Sequence, residues 1–233
     1  HRKVKEAIRP GISTLELDYI AEKTIRDNGA TPSFKGYGGF PGSICASINN
    51  VVIHGIPNKN IILKNGDIIS IDIGACYKGY HGDSAWSYIV EDASDDIKYL
   101  MEHTEKSLYE GLKMVKPGNR IGDVSYAIQQ YAESHNLGVV RELCGHGIGK
   151  EMHEEPEVPN YGTPNTGARL RPGMVICIEP MITFGKKDII QERDGWTIKT
   201  KDRKPAAHFE HDVAVRNGKA EILSSFEWIE GNQ

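Results

Sequence analysis

A chain of 233 residues with 39% hydrophobic and 26% charged side chains is long enough to bury a sizeable core and has the balance of a globular protein. Its formal net charge of −4 excludes nucleic acid held by bulk positive charge. No apolar run approaches the roughly 20 residues that span a bilayer, so neither DNA nor a membrane is expected as a partner. No secretory signal is visible. The chain opens on His1 within a stretch of helical spacing (Val4, Ala7, Ile8), and residues are expected to precede it. Four cysteines, Cys45, Cys76, Cys144 and Cys177, make no CxxC pair and match no zinc-finger spacing. Cys76 and Cys177 read as packed thiols, and the compartment reads as the reducing cytoplasm.

In chain order, residues 1–9 read as a helix end stopped by Pro10-Gly11. Ser13-Thr14-Leu15-Glu16 is a capping-box pattern. It opens a helix with Leu17, Ile20, Ala21, Thr24 and Ile25 at helical spacing, closing near Asn28-Gly29. A glycine-rich aromatic loop runs from Phe34 to Pro41, and short strands are expected over 44–49 and 51–55. A hairpin follows. Ile68, Ile69, Ile71 and Ile73 form its first strand with Asp72 in their midst, residues 78–82 turn, and Asp83 opens a second run ending at Val90. The spacing predicts helices over 94–115 and 121–135. A strand over 139–143 should lead into Gly145-His146-Gly147-Ile148-Gly149, whose glycines would leave the imidazole exposed. Strands are expected over 175–179, over 189–192 and 196–200 around an Asp194-Gly195 turn, and over 209–215 and 220–223 around Asn217-Gly218. Residues 224–233 form a tail.

Two segments recur at one spacing. Pro10-Gly11, followed by Glu16 and Tyr19, returns as Pro117-Gly118, followed by Asp123 and Tyr126. Leu63 through Asp72 returns as Leu170 through Glu179, and both pairs are offset by 107 positions. A helix-then-strands unit present twice suits one domain of two related halves around a common sheet, covering residues 1–223. The repeat sets Asp72 opposite Glu179, each acid inside an apolar strand.

Aspartate is depleted in strands, and a buried carboxylate without a partner is costly. Asp72 and Asp83 on adjacent strands should repel unless a cation lies between them; the alternative is a surface hairpin with solvated acids. Glu179 and Glu210 are further acids in strand-like runs, and His146 is an imidazole among glycines. This oxygen-rich set suits a pair of manganese, iron, cobalt or zinc ions better than a structural zinc. His54 and His153 lie near turn signals and suit proton donation. Singly, each has a plainer reading: a histidine in a glycine loop is more often surface, and a strand glutamate often pairs with lysine or arginine.

Together these residues resemble the type I methionine aminopeptidases, the short members of the pita-bread metalloenzymes. The likeness runs from Pro10 to about Leu223. It rests on Asn49-Asn-Val-Val-Ile-His54-Gly-Ile-Pro57, Asp67-Ile-Ile-Ser-Ile-Asp72, Gly79-Tyr-His-Gly-Asp83 and Gly145-His-Gly-Ile-Gly149. It continues in His153-Glu-Glu-Pro156, Ile178-Glu-Pro180, Asp194-Gly-Trp196 and Phe209-Glu-His211. The resemblance implies an α+β pita-bread fold, two pseudo-symmetric halves with a central antiparallel sheet covered by helices. It also implies a dinuclear site in which Asp72, Asp83, His146, Glu179 and Glu210 hold two divalent ions. Glu179 would shuttle a proton, His153 would stabilise the developing oxyanion, and His54 would assist at the substrate amine or the leaving nitrogen. Tyr37, Phe40, Cys45 and Trp196 would line the methionine pocket.

The implied reaction removes the initiator methionine of nascent polypeptides whose second residue is small. A monomer in the cytoplasm is expected, with the ribosome as a possible site of attachment. Departures from the family pattern are Gly38 where histidine is frequent, Met152 where an aromatic is frequent, and Asp212 where threonine is usual. They bear on pocket shape and leave the ligands intact. The rivals are an Xaa-Pro aminopeptidase of the same fold, whose members usually carry a large extra N-terminal domain, and a non-catalytic scaffold, which would have lost ligands.

Overall fold

A computed structural model describes residues 1–227; of the tail expected over 224–233, residues 228–233 lie outside the described part. The first half runs α1 (Arg2–Ala7), α2 (Thr14–Asp27), β1 (Thr31–Pro32), a 3-10 turn (Tyr37–Gly39), β2 (Cys45–Ile48), β3 (Val51–Ile53), β4 (Ile68–Tyr77) and β5 (Tyr80–Ile89). Helices α3 (Asp95–Lys113) and α4 (Ile121–Ser134) follow. Then come β6 (Gly138–Val139), β7 (Cys144–Gly147), β8 (Glu154–Pro159), β9 (Val175–Ile178) and β10 (Met181–Thr183). The chain closes with β11 (Ile189–Gln191), β12 (Ile198–Thr200), β13 (Ala206–His208), β14 (His211–Val215) and β15 (Ala220–Ile222). Among the described residues strand pairing is antiparallel in every ladder and divides into groups of four, three, three and five strands.

The 107-residue offset is repeated in hydrogen bonds. Ser13 bridges Ile62, and Arg120 bridges Arg169. Leu63 N donates to Ile12 O at 2.9 Å, as Leu170 N does to Asn119 O at 2.8 Å. Each bridge delivers the chain into a capped helix. At α2, Ser13 Oγ accepts from Glu16 N at 3.2 Å while Glu16 Oε2 accepts from Ser13 N at 2.9 Å. At α4, Asp123 Oδ2 accepts from Arg120 N at 2.7 Å. Both helices satisfy first-turn donors in this way.

One core joins the layers. Leu100, Leu108 and Leu112 of α3 and Val124, Ile128 and Ala132 of α4 belong to the same buried cluster as Ile69 and Ile71 of β4, Ile176 of β9 and Val213 of β14. Each of these leucine, isoleucine and valine side chains contributes about 1.5–3 kcal/mol over its exposed state. The tail begins inside this core: Phe226 is buried and stacks on Trp86 with ring centroids 4.1 Å apart.

The structure departs from the sequence expectations at several points. Of the strand expected over 139–143, only Val139 is one. Pairing ends at Val139 and resumes at Cys144, so that His146 lies in β7 itself and is buried rather than exposed in a loop. Glycine makes this strand possible by removing the side chains that would collide with its neighbours. A Cβ on Gly145 would sit 2.2 Å from Cys177 O, and one on Gly147 2.3 Å from Glu155 O. The 78–82 turn is shorter than expected: Lys78 and Gly79 alone carry the positive φ of a two-residue hairpin loop, and β5 starts at Tyr80. The strand expected from 209 begins only at His211, because Glu210 N turns out of the ladder to donate to Ala85 O at 2.8 Å. The strand expected from 196 begins only at Ile198, since Asp194 Oδ1 takes Trp196 N at 2.9 Å and Thr197 N at 2.8 Å into a turn. Strands β1, β8, β10 and β13 carry no clear alternation, and the sequence predicts none of them.

Replacing Gly145 by alanine should therefore lower stability by about 1–3 kcal/mol, the usual range for overpacking. Urea unfolding followed by circular dichroism checks it, and an unchanged midpoint would show that β7 and β9 have room to separate.

Candidate metal centre

The hairpin β4–β5 sets the first two acids. Asp72 pairs with Ala85 in the antiparallel register, and Asp83 lies two residues before Ala85. Side chains alternate along a strand, so both carboxylates share one face as diagonal neighbours. Glu210 is brought up by the Glu210 N to Ala85 O bond. Glu179 leaves the end of β9, where Ile178 pairs with His211 of β14. His146 arrives from β7, whose Gly147 pairs with Ile176. The five come from both copies of the repeat and from the turns after them.

Carboxylate oxygens of Asp72, Asp83 and Glu210 lie within 4.8 Å of one another, as do His146, the Cys177 thiol and Glu210. His146 Nε2 stands 3.7 Å from Glu179 Oε1. His146 Nδ1 donates to Gly147 O at 2.8 Å, which fixes the tautomer and leaves Nε2 its lone pair. Asp72 Oδ1 and Glu210 Oε1 are buried without a hydrogen-bond partner within the chain. Among the described residues no lysine or arginine forms an ion pair with these acids; Glu179 faces only His146 and His208. Hard oxygen donors, one imidazole lone pair and two orphaned oxygens fit divalent cations.

Every residue assigned to the site from sequence lines one cavity of about 250 Å3, whose wall also includes Phe34 and Met152. Beside the acids, Phe34, Phe40, Cys45 and Met152 form their own buried cluster with Trp196 and Ile56 against it, Cys45 standing opposite Asp72 in the ladder. Phe40 meets the Trp196 ring edge-on at 5.2 Å, and His54 does so at 6.2 Å. His54 follows β3 with a positive φ of 57°, a turn that carries the chain away from its strand. His153 Nδ1 is 2.8 Å from the Tyr37 hydroxyl, and its ring centroid is 4.3 Å from that of His146. Tyr37 is half exposed at the mouth.

Three residues gain a place that the sequence did not give them. Asp212, noted only as a departure, is buried. Its Oδ2 accepts from Asp83 N at 2.7 Å, and its Oδ1 accepts from the Cys177 thiol at 3.0 Å. Cys177, read as a packed thiol, stands two residues before Glu179 and opposite Asp212 in the ladder; alternation from Glu179 was the signal available. His208, two residues before Glu210, is buried with Nε2 3.6 Å from Glu179 Oε2.

Burial dominates the titration of the whole cluster. It raises Asp72, Glu179 and Glu210 well above the usual carboxylate range, with neighbouring acids adding to it. Asp83 is pushed up to about 7 by burial and then by Asp212, and Asp212 to about 6 by burial. The same burial lowers His54 and His146 to about 4 and His208 to about 3, and lowers His153 as well.

The profile of metallopeptidase family M24 matches residues 1–217, and the chain belongs to that family. It is 54% identical over 224 residues to methionine aminopeptidase 1 of Bacillus subtilis, covering 96% of this chain and 90% of the relative. The fold agrees with a crystal structure of methionine aminopeptidase from Thermotoga maritima at a TM-score of 0.94 and 43% identity, covering 96% of this chain and 90% of the other. Within the family, its place is thus among the methionine aminopeptidases. Prolidase from Pyrococcus furiosus, at 21% identity and a TM-score of 0.77, shares the pita-bread fold; this chain covers 58% of it. Among the described residues no helix is long and apolar enough to cross a membrane.

A group whose folded pKa is raised keeps a proton that the unfolded chain has released, so stability falls as pH rises through that window. Buried histidines act oppositely, but only below their ordinary value of about 6.5. From about pH 6.5 to about pH 8 several acids act against a single opposing group, the amino group of His1, whose pKa burial lowers. The metal-free chain should lose stability across this range as Asp83, at about 7, and its neighbours ionise. Manganese should abolish the loss by binding the ionised form. Urea midpoints at both pH values, with chelator and with manganese, decide it; a metal-free midpoint that rises with pH would contradict the raised acids.

Proposed function

We propose that this chain hydrolyses the first peptide bond of polypeptides that begin with methionine and a small second residue, using two divalent ions held by Asp72, Asp83, His146, Glu179 and Glu210. The observation that carries the reading is one cavity joining an acid cage to a separate apolar cluster. A thioether suits that cluster: Phe40 and Trp196 offer ring edges and faces, and Cys45 a polarizable sulfur. Tyr37 closes the pocket at its mouth. The 54% identity to a methionine aminopeptidase supports the same substrate.

In this reading Asp72, Asp83, His146 through Nε2, Glu179 and Glu210 would hold the two ions between them. The ions, when bound, polarise the scissile carbonyl and bring a water's pKa to about 7. Glu179 accepts the proton released by the attacking water and returns it to the departing amine. His153 is neutral, because burial lowers its pKa. With the Tyr37 hydroxyl donating to Nδ1, its Nε2–H is left to donate to the developing oxyanion. His54, also neutral, assists at the substrate amine or the leaving nitrogen. Donor hardness admits manganese, iron, cobalt or zinc, and supply selects among them. Residues 1–223 act as a single catalytic domain. As the substrate is a newly made chain end, the reading places the protein in the cytoplasm, as a monomer working beside the ribosome.

The chain loaded with manganese or cobalt should release methionine from Met-Gly-Met-Met and leave an Xaa-Pro peptide intact; the reverse preference would assign it to the proline-directed relatives, and neither activity to a scaffold. His153→Ala should lower kcat by about two to three orders of magnitude with metal stoichiometry unchanged in titration calorimetry. An unaltered kcat would remove the oxyanion role.

A further inference from the structure

The chain holds a buried imidazole that neither the cavity wall nor the ligand cage uses. His208 in β13 is 2% exposed, and its Nε2 has no hydrogen-bond partner within the chain. Such an orphan is costly unless a partner comes within reach. The facing acceptor is Glu179 Oε2 at 3.6 Å, while His146 Nε2 faces the other oxygen, Oε1, at 3.7 Å. Glu179 is therefore flanked by one imidazole on each carboxylate oxygen. We propose that His208 is a positioning residue for Glu179: its Nε2–H donates to Oε2 in the working enzyme and leaves Oε1 to face the cation and the travelling proton. This rests on the role of Glu179 given above.

The backbone on both sides of this contact is fixed. His208 N donates to Ser87 Oγ at 3.1 Å, Ser87 Oγ donates to His208 O at 3.0 Å, and His208 pairs with Met181 two residues beyond Glu179. Asn160 Nδ2 donates to Glu179 O at 3.0 Å. Both backbones are thus pinned, and a small side-chain rotation closes the gap to hydrogen-bond range. The carboxylate acceptor beside Nε2 selects the Nε2–H tautomer.

The test compares His208→Leu and His208→Gln with the wild-type chain, all loaded with manganese. Removing a group that orients a metal-ligating carboxylate costs about 10–100-fold. Leucine should lower kcat for Met-Gly-Met-Met by about that factor while KM stays within about twofold, since His208 does not line the cavity. Glutamine, which keeps an N–H donor, should recover most of the loss. Titration calorimetry on the metal-free proteins should show manganese affinity weakened by leucine about tenfold and restored by glutamine. A leucine variant with wild-type kcat and affinity, or a glutamine variant no better than leucine, overturns the proposal. Should leucine fail to fold, nitrogen-15 spectra of the zinc-loaded wild-type chain still decide: a hydrogen-bonded Nε2–H is expected, and an Nδ1–H tautomer overturns it. A wild-type chain that cleaves no methionyl peptide removes the proposed function, while calorimetry and nitrogen spectra still judge His208.

Discussion

Repulsion among buried acids is the constraint on which the molecule depends. Two unit charges 4.8 Å apart repel by about 3–4 kcal/mol at an effective dielectric constant near 20. Asp72, Asp83 and Glu210 make three such pairs, with Glu179 and Asp212 close behind. The sum rivals the whole net stability of an ordinary domain, about 5–15 kcal/mol. No lysine or arginine offsets it among the described residues. Either protons or cations must, and the raised acids show the metal-free chain resorting to protons. A cation that displaces them gains the full attraction of the cage, which is why such an arrangement survives in a stable fold.

The fold meets this constraint with a unit used twice. Each copy runs from a bridge into a capped helix and later from a glycine turn into an apolar strand that ends in or contains an acid. Placing Asp72 and Glu179 at matching points brings the halves together at their most repulsive atoms. The halves do not rely on the acids for cohesion. The core cluster spans both, from Ile71 to Ile176, and the tail residue Phe226 closes it from behind against Trp86.

Much of this was legible because it obeys local rules. The Ser13–Glu16 box, the β4–β5 hairpin and the 107-residue offset follow from capping, alternation and repetition, and they carried Asp72, Asp83 and Glu179, while Glu210 was legible only as an acid in a strand-like run. Strands β7 and β8 did not show. Cys-Gly-His-Gly and Glu-Glu-Pro-Glu-Val-Pro have poor strand propensity, and only tertiary neighbours make them strands: Cys177 O and Glu155 O stand where side chains at Gly145 and Gly147 would be. The burial of His146 was hidden for the same reason. Asp212 and His208 were beyond reach because their partners, Asp83 N and Glu179 Oε2, lie far away in sequence and on other strands.

Low polarity around the cavity does two things at once, and they are chemically complementary. Loss of water penalises whichever form is charged, so it raises acids and lowers imidazoles by one cause. The acids are thereby made hungry for a counter-ion, and the histidines, His54, His146, His153 and His208, are kept neutral. A protonated imidazole beside the cage would repel the cation that the acids require. A neutral one can give its lone pair, as His146 Nε2 is oriented to do, or its N–H, as His153 can once Tyr37 occupies Nδ1. Mixed burial of acids and bases that would normally pair as salt bridges instead keeps both uncharged until a metal arrives, and the enclosure rather than any single residue sets that order.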